Sequence, residues 1–209
     1  MTGPSAPLAA LVYVVDDDEA MRRSLCWLLR SVGHECREYA SADAFTAAFE
    51  ETRPGCLLLD IRMPGQSGLD LLDSLNKGGA TLPVLILTGH GDVPMAVRAL
   101  KAGAMDFLEK PCNDQMLLDR VQEAVSEHAR RLAEQQARSD ARQRLDSLTA
   151  RERQVAELVS RGLSNKAIAR DLEISLKTVE VHRHNAMVKL KVEGAAELAR
   201  LWVEAEEGS

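Results

Sequence analysis

The chain has no apolar run of about 18 residues and no leader of charged, apolar and small residues at its start, so neither membrane spanning nor export is indicated and a cytoplasmic protein is expected. Cysteine is sparse: Cys26, Cys36, Cys56 and Cys112 show no C-x-x-C spacing and sit in apolar or strand-like surroundings. That pattern argues against a zinc site and favours reduced core thiols over disulfides. Aromatics are scarce as well, three Phe, two Tyr and two Trp, or 3% of 209 residues. The length still suffices for one large domain or two small ones, each with its own core.

Charge is plentiful but uneven. Residues 1–125 hold 11 Lys+Arg against 18 Asp+Glu, net −7, while residues 149–203 hold 10 against 7, net +3. The two halves are expected to meet different partners.

In the acidic half, short apolar runs alternate with amphipathic stretches. Residues 11–16, 34–39, 56–60, 82–88 and 105–109 predict strands; 19–32, 42–51, 67–76 and 93–102 predict helices, the first with Met21, Leu25, Leu28 and Leu29 on one face. Strands that are near-continuously apolar, 34–39 the weaker of them, alternating with helices, imply a parallel sheet covered on both faces: an α/β, doubly wound fold. Ligands of such sheets bind beyond the carboxyl ends of the strands. There the sequence places Asp16 and Asp17, then Asp60, then Thr88, and Lys110 just past the last strand.

Crowded carboxylates disfavour one another's ionisation unless a cation neutralises them. Asp16, Asp17 and Asp60 offer hard oxygen ligands suited to Mg²⁺, and a carboxylate can itself act as the nucleophile toward a phosphoryl group. Lys110 would supply a point charge to phosphoryl oxygens and Thr88 a hydroxyl donor. Asp18 and Glu19 read as acids favoured in the first turn of a helix.

Residues 113–144 lack Gly and Pro and predict one long helix. Leu118, Val121, Val125, His128 and Leu132 form a short three-and-four seam that fades into Gln135, Ser139 and Arg142, leaving two readings: a solvated linker helix whose first turns pack on the sheet, or a dimer-forming signalling helix. From residue 148 the pattern is purely helical. Thr149 and Glu152 form a capping box for a helix that stops at Gly162, Ser164 and Ser175 cap two more, and a last helix runs from about 194 to 205. A short helix, a tight turn and a longer polar helix match a DNA-binding helix-turn-helix. Leu158, Ile168, Leu172, Val179 and Leu190 read as core, and Lys177, Thr178, Glu180, Val181, Arg183, His184, Asn185 and Lys189 as the DNA-facing set.

The segments VVDDDEAMRRSL, LLLDIRMPGQSGLDLL and LILTGHGDVPMAVRALKAGAMDFLEKP, in this order, resemble the receiver domain of two-component response regulators, especially the FixJ/NarL-like class. The resemblance implies a flavodoxin-like five-stranded parallel sheet over residues 9–125. It also implies that Asp60 accepts phosphate from a sensor histidine kinase, that Asp16, Asp17, Asp60 and the backbone carbonyl of Arg62 bind Mg²⁺, and that Thr88 and Lys110 contact the phosphate. Phe107 falls at the family's switch aromatic position, and the surface around Val97 and Lys101 is expected to change shape on phosphorylation. Gly65 and Gly68 are expected to permit unusual backbone angles after Met63-Pro64. Cys112 stands where relatives usually carry Phe.

Residues 148–190 similarly resemble the LuxR-type helix-turn-helix, which sets the remaining boundaries: a linker helix over 126–146 and an all-α DNA-binding domain over 147–209. Glu173 departs from the glycine that commonly ends the preceding helix, and Glu180 from a frequent lysine. A regulator that binds promoter DNA, as a phosphorylation-dependent homodimer and without enzymatic activity of its own, is therefore expected. Two competing readings are a phosphatase of the haloacid-dehalogenase type, prompted by Asp16-x-Asp18 after a strand, and a receiver used only for dimerisation. The helix-turn-helix argues against the first, the complete set of Asp16, Asp17, Asp60, Thr88 and Lys110 against the second.

Overall fold

The computed structural model describes residues 10–51, 53–89 and 92–206. Five parallel strands, β1 (Leu11–Val15), β2 (Glu35–Tyr39), β3 (Gly55–Leu59), β4 (Val84–Thr88) and β5 (Asp106–Glu109), lie in the order β2-β1-β3-β4-β5. They alternate with α1 (Glu19–Ser31), α2 (Ala42–Ala48), α3 (Gly68–Lys77) and α4 (Val93–Lys101), and α5 (Asp114–Asp146) follows. The order reverses beside β1, between β1 and β3, which is where such sheets open a ligand crevice.

Side chains on β1, β3 and β4 alternate between two cores. Leu11, Tyr13, Val15, Leu57, Leu59 and Ile86 pack on one face with Phe45 and Leu72 of α2 and α3. Val12, Val14, Leu58, Leu85 and Leu87 pack on the other with Leu25 and Leu29 of α1 and Leu117 and Val121 of α5. Burial on both faces explains the near-continuous apolar runs. Four of the seven aromatics gather in one corner, where Tyr13, Tyr39, Phe45 and Phe49 meet at ring-centroid distances of 5.0–6.4 Å. This corner also shortens the helix expected over 42–51. Phe49 takes extended backbone, φ −75° and ψ 124°, and its ring stacks on Phe45.

The cysteine expectation needs correction. Cys26 of α1 and Cys36 of β2 form a disulfide with Cα atoms 5.5 Å apart, while Cys56 and Cys112 are free. The tight turn from α1 into β2 brings together two positions that no local spacing marks. Cys56 is wholly buried, and burial pushes its thiol up to about 12.

The expected seam on α5 resolves differently along its length. Leu117, Val121, Ala124 and Val125 pack on the sheet. His128, fully buried, places Nδ1 2.9 Å from the Gly55 amide and 3.1 Å from the Gly55 carbonyl oxygen, and Nε2 2.9 Å from Glu51 Oε1. Glu51 in turn accepts from the Thr81 amide and hydroxyl at 2.9 and 2.8 Å. A buried polar group with every partner in place is a fastener rather than a coiled-coil position.

The chain divides into two compact units between Leu132 and Ala133, inside α5. The second is wholly helical: the end of α5, then α6 (Ala150–Ser160), α7 (Asn165–Asp171), α8 (Leu176–Leu190) and α9 (Ala195–Glu206). Its core joins Leu145, Val155, Val159, Ile168, Val179, Leu190, Leu198 and Leu201. The capping box is present: Thr149 accepts from the Glu152 amide and Glu152 from the Thr149 amide. Glu173 ends α7 at φ +53°, so the turn keeps the left-handed geometry usually given to glycine, at a steric cost.

Candidate functional site

The carboxyl ends of β1, β3 and β4, with the residue after β5, bring together the four positions marked in the sequence. Asp16 follows β1 directly and is 2% exposed; its Oδ1 accepts from the Asp18 amide at 2.9 Å, fixing the carboxylate. Asp60 follows β3 and is 9% exposed, with Oδ1 accepting from the Arg62 amide at 3.1 Å. Lys110 Nζ reaches both carboxylates, 2.5 Å from Asp16 Oδ2 and 2.9 Å from Asp60 Oδ2. Burial works against the ammonium, but the hydrogen bonds and charges of Asp16 and Asp60 outweigh it and raise the Lys110 pKa. The lysine is therefore a fixed positive charge at neutral pH.

Asp17 is exposed at the rim, and carboxylate oxygens of Asp16, Asp17 and Asp60 lie within 4.8 Å of one another. Three hard oxygen donors around one point are a donor set for a divalent cation such as Mg²⁺. One lysine leaves the acids in excess. Thr88, at the end of β4, is fully buried and its hydroxyl has no hydrogen-bond partner among the described residues. A buried unpaired hydroxyl carries a penalty that an incoming acceptor oxygen would relieve. Phe107, half-buried on β5, packs against the core on the α2–α4 face of the sheet.

The backbone around Asp60 is shaped by two glycines for different reasons. Gly65 takes φ +81°, as expected. Gly68 does not: a Cβ there would stand 2.1 Å from the Asp60 carbonyl oxygen, so its role is close approach of α3 to the end of β3. Cys112 is half-buried beside Lys110-Pro111 and lines a cavity of about 190 Å³ with Met21, Trp27, Leu28 and Leu117.

Sequence reasoning overlooked Arg22. One turn into α1, its Nη1 donates to the backbone carbonyls of Asp16 (2.8 Å) and Asp17 (3.1 Å), and its Nε lies 3.8 Å from Glu38 of β2. An arginine four residues past Asp18, on a helix that starts at the acidic cluster, was the available signal.

In the helical unit, α7 and α8 form the helix-turn-helix. Lys177, Glu180, Val181, His184 and Asn185 are exposed on α8, while Thr178 and His182 are half-buried. Thr178 Oγ1 lies 2.7 Å from Ser175 Oγ at the helix cap. Arg183 is half-buried and donates to Asn165 at 2.8 Å, and Lys189 pairs with Glu152 at 2.6 Å. These two cations are thus partly engaged within the domain.

Two family models match the chain: the response regulator receiver domain over residues 12–122, and the bacterial regulatory proteins of the luxR family over residues 146–202. The transcriptional regulatory protein FixJ of Azorhizobium caulinodans is 47% identical over 195 residues, covering 93% of this chain and 92% of that protein. The response regulator protein TodT of Pseudomonas putida is 40% identical, covering 92% and 85%. Among solved structures, the response regulator StyR superposes with a TM-score of 0.86 at 44% identity, covering 93% of this chain and 98% of that one. Full-length FixJ from B. japonicum gives 0.58 at 42% identity, covering 98% and 100%. The chain therefore belongs to the two-component response regulators that join a receiver domain to a LuxR-type DNA-binding domain and control transcription.

Proposed function

We propose that Asp60 is the phosphoacceptor through which a sensor histidine kinase controls DNA binding by this protein. The observation that carries this reading is the meeting of Asp16, Asp60 and Lys110 within hydrogen-bond distance beside the unpaired hydroxyl of Thr88. A carboxylate oxygen of Asp60 attacks the phosphorus of a phosphohistidine, the P–N bond breaks, and its electron pair leaves with the imidazole. The donor set of Asp16, Asp17, Asp60 and the Arg62 carbonyl fits Mg²⁺, which when bound offsets charge on the transferring phosphoryl group. Lys110 turns from Asp60 to the phosphoryl oxygens, and Thr88 donates its hydroxyl to them.

Phosphorylation replaces one negative charge at Asp60 with roughly two and adds strong acceptors. Thr88 is drawn inward and Phe107 fills the space it leaves. The face of α4 then shifts between two existing states, which a few kcal/mol suffices to rebalance. Val93, Val97 and Leu100 of α4 are exposed apolar residues, and they support self-association of this face. Two copies present two α8 helices, each with its early residues in a major groove of promoter DNA. Lys177, Thr178, Glu180, Val181, Arg183, His184, Asn185 and Lys189 form the DNA-facing set; Val181 meets a thymine methyl and Glu180 accepts from a cytosine amino group.

On this reading the receiver spans 9–125, the linker 126–146 and the DNA-binding domain 147–209, and the protein works in the cytoplasm without being an enzyme. Among the described residues no helix is long and apolar enough to cross a membrane. Incubation with Mg²⁺ and acetyl phosphate tests the reading. One labile phosphoryl group mapping to Asp60 is expected, and steady turnover of phosphate monoesters would instead favour an enzyme.

A further inference from the structure

We infer that Arg22 is a positioning residue for the phosphoacceptor site: its guanidinium draws the backbone carbonyls of Asp16 and Asp17 together and so holds their carboxylates ready to take a divalent cation. The inference rests on the function proposed above and adds a residue and a role to it.

Asp16 and Asp17 lie on the loop between β1 and α1, and a loop gives side chains no rigidity of its own. Three contacts supply it. The Asp18 amide holds Asp16 Oδ1 at 2.9 Å, Lys110 holds Oδ2, and Arg22 holds the main chain of both aspartates from behind, at 2.8 and 3.1 Å. Only the Arg22 contact includes Asp17, whose exposed carboxylate has the fewest constraints of the trio. Both bonds run from one nitrogen, Nη1, so the two carbonyls are pulled toward a single point.

The guanidinium is itself positioned. Its side chain is 12% exposed, and Glu38 at the end of β2 lies 3.8 Å from Nε, too far for a hydrogen bond but close enough for charge to orient it. Nε is buried without a hydrogen-bond partner among the described residues, so the arginine accepts a cost to keep Nη1 where it is. A residue serving only to stabilise α1 would turn Nε toward an acceptor. Groups that orient metal ligands without touching the metal typically change metal affinity by 10–100-fold when removed.

The test uses the full-length protein in four forms: wild type, Arg22→Met, Arg22→Lys and Glu38→Gln. Each is titrated with Mg²⁺ in a calorimeter, melted in EDTA, and labelled with acetyl phosphate across Mg²⁺ concentrations. Arg22→Met is expected to raise the Mg²⁺ needed for half-saturation about 10-fold. Labelling should recover at high Mg²⁺. Arg22→Lys, which can reach one carbonyl, should be intermediate, and Glu38→Gln should shift least in the same direction. A structural role alone predicts the opposite split, a lower melting temperature in EDTA with Mg²⁺ half-saturation unmoved, and that result overturns the proposal. Should Arg22→Met not fold, Arg22→Lys decides: a wild-type Mg²⁺ titration sinks the idea, a weakened one supports it. Wild type that takes neither Mg²⁺ nor phosphate brings down the underlying function together with this inference, whereas normal wild-type labelling with unchanged variants removes only the role of Arg22.

Discussion

The two units each hold a buried carboxylate against a lysine, and the pairs differ in everything around them. In the helical unit, Glu152 takes the Lys189 ammonium and the Thr149 amide, and the Thr149 contact completes a helix cap. Its charge is matched and its hydrogen-bond partners are in place. In the sheet unit, Lys110 is shared by Asp16 and Asp60, a third acid stands at the rim, and a threonine hydroxyl lies buried without a partner. Surplus charge and an orphan donor at a strand-end crevice mark a place that expects an anion and a cation. Chemically similar contacts are thus separated into fastener and site by what remains unsatisfied.

Mutation should separate them in the same way. Asp60→Asn is expected to abolish acetyl phosphate labelling and any phosphate-dependent gain in DNA affinity while the receiver still folds; intact activation by the kinase in this variant would refute its role. Glu152→Gln should leave labelling at wild-type levels.

Fasteners should instead register in stability. Removing the His128 ring in His128→Ala opens a cavity, leaves the Gly55 amide without its acceptor and takes one of the partners of Glu51, so a loss of about 3 kcal/mol is expected in denaturant unfolding of the receiver. A variant as stable as wild type would show that the Glu51–His128–Gly55 network is dispensable.

For Glu152 the expected loss is about 1–2 kcal/mol. Its pH dependence has a definite sign. The Lys189 hydrogen bond, then the Thr149 amide, hold the Glu152 pKa below its ordinary 4.5. The stabilisation is therefore complete above that value and lost as pH falls through the lower folded-state pKa. Melting of the helical unit should decline on acidification below about pH 4.5, and less steeply in Glu152→Gln than in wild type. Parallel declines would place the pair outside the folding balance.

The smallest effects belong to the α8 surface. Lys177→Ala should weaken DNA binding and reduce the salt slope by about 1, the signature of one phosphate contact. Lys189→Ala should change the slope less, because Glu152 already holds that ammonium. Equal slopes for the two variants would contradict the engagement of Lys189 within the domain.

What could be read from the chain alone follows the reach of each interaction. Asp16, Asp60, Thr88 and Lys110 were legible because a parallel sheet delivers its strand ends to one edge, and β1, β3 and β4 announce themselves as apolar runs. Thr149 and Glu152 were legible because a capping box is local. Contacts between distant segments were not. His128 looked like a seam position because its partners Gly55 and Glu51 lie 73 and 77 residues away. Cys26 and Cys36 meet only once α1 has folded back on β2. Gly68 was assigned to backbone angle when its constraint is the nearby Asp60 carbonyl, a clash visible only in three dimensions. Arg22 escaped notice because it acts on main-chain atoms, which carry no sequence label.

The most direct measurement follows one sample of purified protein through acetyl phosphate and Mg²⁺, reading intact mass, the modified residue and affinity for promoter DNA together, beside a receiver known to be labelled. One phosphoryl group on Asp60, accompanied by tighter DNA binding that disappears as the label hydrolyses, is the predicted result. Unchanged mass and unchanged DNA affinity, in a reaction that labels the reference receiver, would contradict the account.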